Sequence, residues 1–158
     1  MQPGKLKPIT VSILFFNFCL CIVIFGIGGW VMNDAIDNGF VIGQDLEVPA
    51  HFSPIFFKIG NSATGFFVVF SFIAAVAVVA SVLSGHFYFR LSDSSNLPPA
   101  ASLALIACFL TILAMGFAWK EVSITVMSGQ LMALEAFVII LSVTQLIYTA
   151  IILWSSTN

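Results

Sequence analysis

Few residues in the long apolar runs of this chain could do chemistry, and most of them are amides and hydroxyls. Glu135 is the only carboxylate well inside such a run, while Asn17 and Gln145 are amides near the middle of theirs. A carboxyl group among apolar residues either takes up a proton or finds a partner, because an isolated charge is costly there. These residue types are consistent with the wall of a polar cavity that holds a substrate or a proton.

The spacing of the polar residues in the last apolar run places them on one helical face. At about 100° per residue, Ser142 and Gln145 fall within an arc of about 80° that begins at Glu135. Such a face must meet protein or water rather than lipid. The hypothetical substrate or proton site comprises Glu135, Asn17, Gln145, Ser142 and the neighbouring Lys120 and Glu121. The alternative is a set of interhelical hydrogen bonds, worth about 0.6 kcal/mol each, that hold the bundle together.

Catalytic and metal-binding patterns are not found in the sequence. It contains no nucleophile elbow, zinc-binding helix motif or phosphate-binding glycine loop. Cys19, Cys21 and Cys108 all lie inside apolar runs, so their spacing predicts neither a disulfide framework nor a metal site. We therefore expect no enzyme, no catalytic residue, no metal and no cofactor. A net charge of −2 provides no basic surface for a nucleic acid.

The polar residues described above must be held in place by secondary-structure elements. The composition indicates that these elements are membrane-spanning helices. Of the 158 residues, 60% are hydrophobic and only 8% are charged, whereas soluble domains have roughly 45–50% and 25%. Four apolar runs cover about residues 9–32, 63–84, 100–119 and 131–154, each close to the roughly 20 residues that cross a bilayer. The runs lack the alternation of a β-barrel. We predict an all-α membrane protein in which residues 1–158 form one four-helix domain.

The distribution of charge predicts how these helices are oriented. Lys5, Lys7 and Arg90 lie on one side of the predicted spans, against Lys58 and Lys120 on the other. Because cytoplasmic segments carry an excess of basic residues, both termini are expected in the cytoplasm. The helices would then be antiparallel, and residues 33–62 would form an ordered extracellular loop between the first and second helices.

Small residues predict where the helices approach one another closely. In membranes, helix interfaces are enriched in such residues because they let the backbones come together. The predicted packing positions are Gly26 and Gly29 in the first helix, Ala74, Ala77 and Ser81 in the second, and Ala107 and Ala114 in the third.

Three long stretches resemble the AWPM-19-like family of plant plasma-membrane proteins. They are GIGGWVMNDAI at residues 26–36, LPPAASLALIACFLTILAMGFAWKEV at residues 97–122 and LEAFVIILSVTQLIY at residues 134–148. The resemblance rests on whole runs such as AMGFAWKE, and the four-span layout matches throughout. It implies a multi-pass protein of the plasma membrane that is associated with abscisic acid and with cold or desiccation stress.

The resemblance leaves two functions open. In the first, the bundle facilitates the uptake of abscisic acid or a similar small weak acid. In the second, the protein is a non-transporting structural or interaction component of the plasma membrane in desiccation or cold tolerance. Membrane lipids are expected partners under both, and a homo-oligomer is compatible with both.

Overall fold

The computed structural model describes residues 3–38, 62–91, 97–121 and 129–157, and side chains in 7–34, 64–91, 97–119 and 129–155. The described residues form four α-helices: α1 (Pro3–Asn38), α2 (Ser62–Leu91), α3 (Leu97–Glu121) and α4 (Gly129–Thr157). Each is long and apolar enough to cross a membrane, over Lys7–Asp34, Thr64–Leu91, Leu97–Trp119 and Gly129–Ser155. The prediction of an all-helical protein with four candidate spans is confirmed.

All four helices are longer than the apolar runs that predicted them, and α1 and α2 exceed theirs the most. α1 continues to Asn38, into the segment expected to be a loop, and α2 continues to Leu91 instead of ending near residue 84. A helix keeps its backbone groups hydrogen-bonded whether or not its side chains are apolar, so it need not end where the hydrophobic run ends. The central part of the predicted extracellular loop, residues 39–61, lies outside the described residues.

The four helices form a closed ring of neighbours. α1 packs against α2 and α4, and α3 packs against the same two helices. Large apolar side chains point away from the bundle, as Phe15 and Phe109 do. This arrangement suits lipid as the surrounding solvent, because polar side chains near the middle of the spans, such as Asn17, Thr111 and Gln145, are buried.

Small residues line the contacts between helices, although not all at the predicted positions. Ala74, Ser81, Ala107 and Ala114 are buried, and Ala77 is half-buried against the core. In α1, however, the close approach occurs at Gly28, where an added Cβ would lie 3.0 Å from the ring of Phe72. Gly26 and Gly29 face outward, and a Cβ at either would meet nothing within 4 Å. A helix turns by about 100° per residue, so a neighbouring glycine can face the opposite way.

Candidate functional site

The side-chain amide of Gln145 lies at the centre of the bundle, where all four helices meet. Its Oε1 accepts a hydrogen bond from Nδ2 of Asn17 in α1 at 3.1 Å. Its Nε2 donates to Oγ of Ser81 in α2 at 3.3 Å and to the carbonyl of Ala104 in α3 at 3.4 Å. One side chain of α4 is therefore bonded to each of the other three helices.

Thr149 extends this arrangement by one turn along α4. Its hydroxyl lies 3.1 Å from the Ala104 carbonyl and 2.8 Å from the carbonyl of Gln145. We call Asn17, Ser81, Gln145 and Thr149, with the Ala104 carbonyl, the amide cluster. The side chains of all four are buried. Hydrogen bonds in such a low-dielectric interior depend strongly on geometry, so the cluster fixes the heights of the helices relative to one another.

The amide cluster and the adjacent Tyr148 each leave hydrogen-bonding capacity unused. Asn17 and Tyr148 are both 0% exposed, yet Oδ1 of Asn17 and the hydroxyl of Tyr148 have no hydrogen-bond partner among the described residues. The Tyr148 hydroxyl is close to Ser81 but does not reach it with good geometry. A buried polar group left in this state costs about 1–3 kcal/mol.

Gly85 in α2 makes room for Tyr148. A Cβ built on Gly85 would overlap the Tyr148 hydroxyl and would lie 3.3 Å from Cδ1 of Leu14 in α1. Three helices therefore meet around this hydroxyl, and the missing side chain of Gly85 is what allows the phenol to enter.

Ser142 forms a separate link on the same face of α4. Its hydroxyl lies 2.9 Å from the Thr111 carbonyl in α3 and 2.9 Å from the Val138 carbonyl in its own helix. Thr111 in turn donates to the Cys108 carbonyl. Ser142 is thus held against α3 and is not bonded to Gln145.

Glu135 lies farther along the same face. It is 5% exposed and is engaged by another group of the protein. Ten residues separate it from Gln145, which corresponds to about 15 Å along the helix axis. The structure therefore brings Asn17 and Gln145 into direct contact and keeps Glu135 apart from both. Lys120 and Glu121 belong to the last turn of α3, and their side chains lie outside the described residues.

Three members of this region were not among the predicted site residues. Ser81 is predicted only as a helix-packing position, and Thr149 and Tyr148 are not in the predicted site. Thr149 and Tyr148 follow Gln145 at spacings of four and three residues, which place them on nearly the same helical face. That spacing was the available signal for both. Within the described residues, no group of three His, Cys, Asp or Glu side chains could hold a metal ion.

Comparison with known proteins identifies the family. The model of the AWPM-19-like family matches residues 15–155, nearly the whole chain. This chain belongs to the AWPM-19-like family. The match spans all four helices, including both amides that meet at the centre of the bundle.

A relative from rice supports the same assignment. Membrane protein PM19L of Oryza sativa subsp. japonica is 37% identical over 150 residues, which cover 94% of this chain and 79% of the relative. The name describes a membrane protein and no enzyme. No solved structure matches the chain.

Proposed function

We propose that this AWPM-19-like protein facilitates the passage of a small weak acid across the plasma membrane, with abscisic acid as the candidate substrate. The observation that carries the proposal is the row of buried polar side chains along α4, formed by Glu135, Ser142, Gln145 and Thr149. These residues span about 21 Å of helix axis, most of the hydrocarbon thickness of a bilayer. A polar solute crossing the bundle needs such a succession of hydrogen-bonding groups.

The proposed topology has four antiparallel spans, both termini in the cytoplasm and residues 33–62 outside. The order of contacts between α3 and α4 supports the antiparallel arrangement, because Ser142 bonds to Thr111 whereas the later Thr149 bonds to the earlier Ala104. The charges support the orientation, with Lys5, Lys7 and Arg90 on the proposed cytoplasmic side.

The undissociated form of the acid is the proposed cargo. An anion would have to leave water for an interior in which the described spans place no basic side chain beside the amide cluster, and that transfer is expensive. The neutral acid avoids most of this cost. Uptake should therefore rise as the external pH falls toward the pKa of the acid, because the neutral fraction grows.

Glu135 is the proposed proton-linked residue of the path. The test is uptake of labelled abscisic acid into proteoliposomes that contain only this protein, across a range of external pH. Glu135→Gln keeps the shape of the side chain and removes its titration. We expect a folded variant whose uptake falls about 100-fold or more at every external pH, the lower end of the loss that is typical for a proton-transfer group.

A matched control removes a different carboxylate. Asp34 is half-buried near the end of the α1 span, and Asp34→Asn should keep both the rate and the pH profile. Wild-type uptake no faster than that of protein-free vesicles would refute the transport proposal. Normal, pH-dependent uptake by Glu135→Gln would limit Glu135 to a structural role.

The second candidate function is that of a structural component of the stressed plasma membrane. The hydrogen bonds from Gln145 to three other helices favour it, because they close the centre of the bundle. Under this proposal, the protein binds lipids or other proteins through its outward faces and transports nothing. The same uptake experiment distinguishes the two functions.

A further inference from the structure

Two polar atoms at the centre of the bundle lack a hydrogen-bond partner among the described residues, and they have complementary character. Oδ1 of Asn17 is an acceptor, and the hydroxyl of Tyr148 can donate. Both side chains are fully buried. A bundle that served only as a scaffold would gain stability from pairing these atoms or from replacing them with apolar groups.

The two atoms border the same part of the interior. Asn17 is bonded to Gln145, and Tyr148 follows Gln145 by three residues on nearly the same face of α4. The Tyr148 hydroxyl also lies beside Leu14, which precedes Asn17 by three residues in α1. By residue spacing, Asn17 Oδ1 and the Tyr148 hydroxyl therefore differ in height by about one helical turn along the bundle axis.

A neutral carboxyl group matches this pair of atoms. It carries one hydroxyl donor and one carbonyl acceptor, whereas an ionised carboxylate offers acceptors only and would face the Asn17 oxygen without a proton to share. We propose that Asn17 and Tyr148 bind the undissociated carboxyl group of the transported acid. Asn17 Oδ1 accepts the hydroxyl of the acid, and the Tyr148 hydroxyl donates to its carbonyl oxygen.

This inference rests on the proposed transport of a weak acid and adds the residues that select the neutral form. Tyr148 is a specificity-determining residue, and Gly85 gives its hydroxyl the space to lie there. The Asn17 amide has a double role, since its nitrogen holds Gln145 while its oxygen receives the ligand.

The test separates binding from transport. Equilibrium binding of labelled abscisic acid is measured on the purified full-length protein in nanodiscs at acidic pH, beside uptake into proteoliposomes and thermal unfolding. The variant is Tyr148→Phe, which removes the hydroxyl alone. The matched control is Tyr88→Phe, at a half-buried tyrosine of α2 whose ring contacts Phe89.

We expect Tyr148→Phe to weaken binding about tenfold, the effect of losing one well-placed hydrogen bond, and to raise the KM for uptake similarly. Its melting temperature should stay the same or rise, because the lost hydroxyl bonds to no described residue. Tyr88→Phe should change none of the three measurements. The methyl ester of abscisic acid, which has no carboxyl donor, should bind the wild type about tenfold more weakly than the acid does.

Four results would overturn the inference: no binding of the acid to the wild type, unchanged binding to Tyr148→Phe, a lower melting temperature of that variant, or equal binding of acid and ester. A lower melting temperature would show that the hydroxyl is structural. Binding without uptake would refute the transport proposal and leave the binding site supported.

Discussion

The amide cluster and the phenylalanine contacts hold the same bundle together by different means. In the amide cluster, Gln145 bonds to groups from three other helices. The phenylalanine contacts consist of Phe25 stacked on Phe72 at 6.0 Å, with Gly28 beneath the Phe72 ring, and of Phe70 and Phe66 stacked on Phe117 at 5.1 and 6.5 Å. They join α1 to α2 and α2 to α3.

The difference shows that the hydrogen bonds of the amide cluster fix the register of the helices, whereas the phenylalanine contacts contribute packing. Lipid is as apolar as the helix surfaces, so burial of phenylalanine gives little drive for association beyond shape and close contact. Stacked rings can slide by a fraction of an ångström at low cost. The hydrogen bonds of Gln145 cannot, because they weaken steeply with distance and angle. The amide cluster should therefore respond more sharply to substitution than the phenylalanine contacts do.

The largest expected effect follows from removing the central amide. Gln145→Leu leaves the buried Asn17 amide without its partner, and we expect a loss of about 2–3 kcal/mol in the free energy of unfolding. Most of this comes from the stranded Asn17, since an interhelical hydrogen bond in a membrane averages only about 0.6 kcal/mol. The loss is measured by unfolding the protein in detergent while its helix content is monitored.

The double variant Asn17→Leu/Gln145→Leu sharpens the comparison. Replacing both partners by apolar groups leaves no stranded amide, so much of the stability should return. A double variant as unstable as the sum of the two single variants would show that the pair is not coupled. Side-chain packing, and not hydrogen bonding, would then stabilise the centre of the bundle, as it does at the phenylalanine contacts.

An intermediate effect is expected at Gly85. Gly85→Ala places a Cβ against the hydroxyl of Tyr148, whose ring is fully buried. We expect a loss of about 1–3 kcal/mol from overpacking. Gly116→Ala in α3 is the control, because its Cβ meets nothing within 4 Å and alanine should stabilise the helix by up to about 1 kcal/mol. Equal melting temperatures of the two variants would contradict the close contact.

The smallest effect is expected among the phenylalanine contacts. Gly28→Ala brings a Cβ to 3.0 Å from the Phe72 ring, but this ring is only half-buried and can shift. We expect a net loss below about 1 kcal/mol. Gly29→Ala, whose Cβ meets nothing within 4 Å, should be neutral or stabilising. A loss at Gly28 larger than that at Gly85 would reverse the proposed ranking of the two regions.

The helical elements could be predicted because span length and apolar composition depend on local sequence alone. Each predicted run lies inside an observed helix. The helices continue past the ends of the runs, and α1 and α2 continue into polar sequence. The polar face of α4 was also predictable, since about 100° per residue places Glu135, Ser142 and Gln145 together. Which of them would meet Asn17 could not be predicted, because periodicity gives a direction around a helix and no height against its neighbour.

The glycines of α1 show both what the sequence could predict and what it could not. Its glycines marked a region of small residues, but the sequence favoured Gly26 and Gly29, whereas Gly28 lies against Phe72. Three glycines within four residues point in different directions, and only the rotation of the packed helix selects one of them.

The sequence by itself determined a four-span helical protein with an inward polar face on α4, because the cost of placing polar groups in lipid acts on each helix separately. Only the tertiary structure decided that Gln145 joins Asn17, Ser81 and Ala104, and that Tyr148 enters at Gly85. These contacts depend on the relative height and rotation of four helices. Packing and hydrogen-bond geometry set both quantities jointly, and no single segment encodes them.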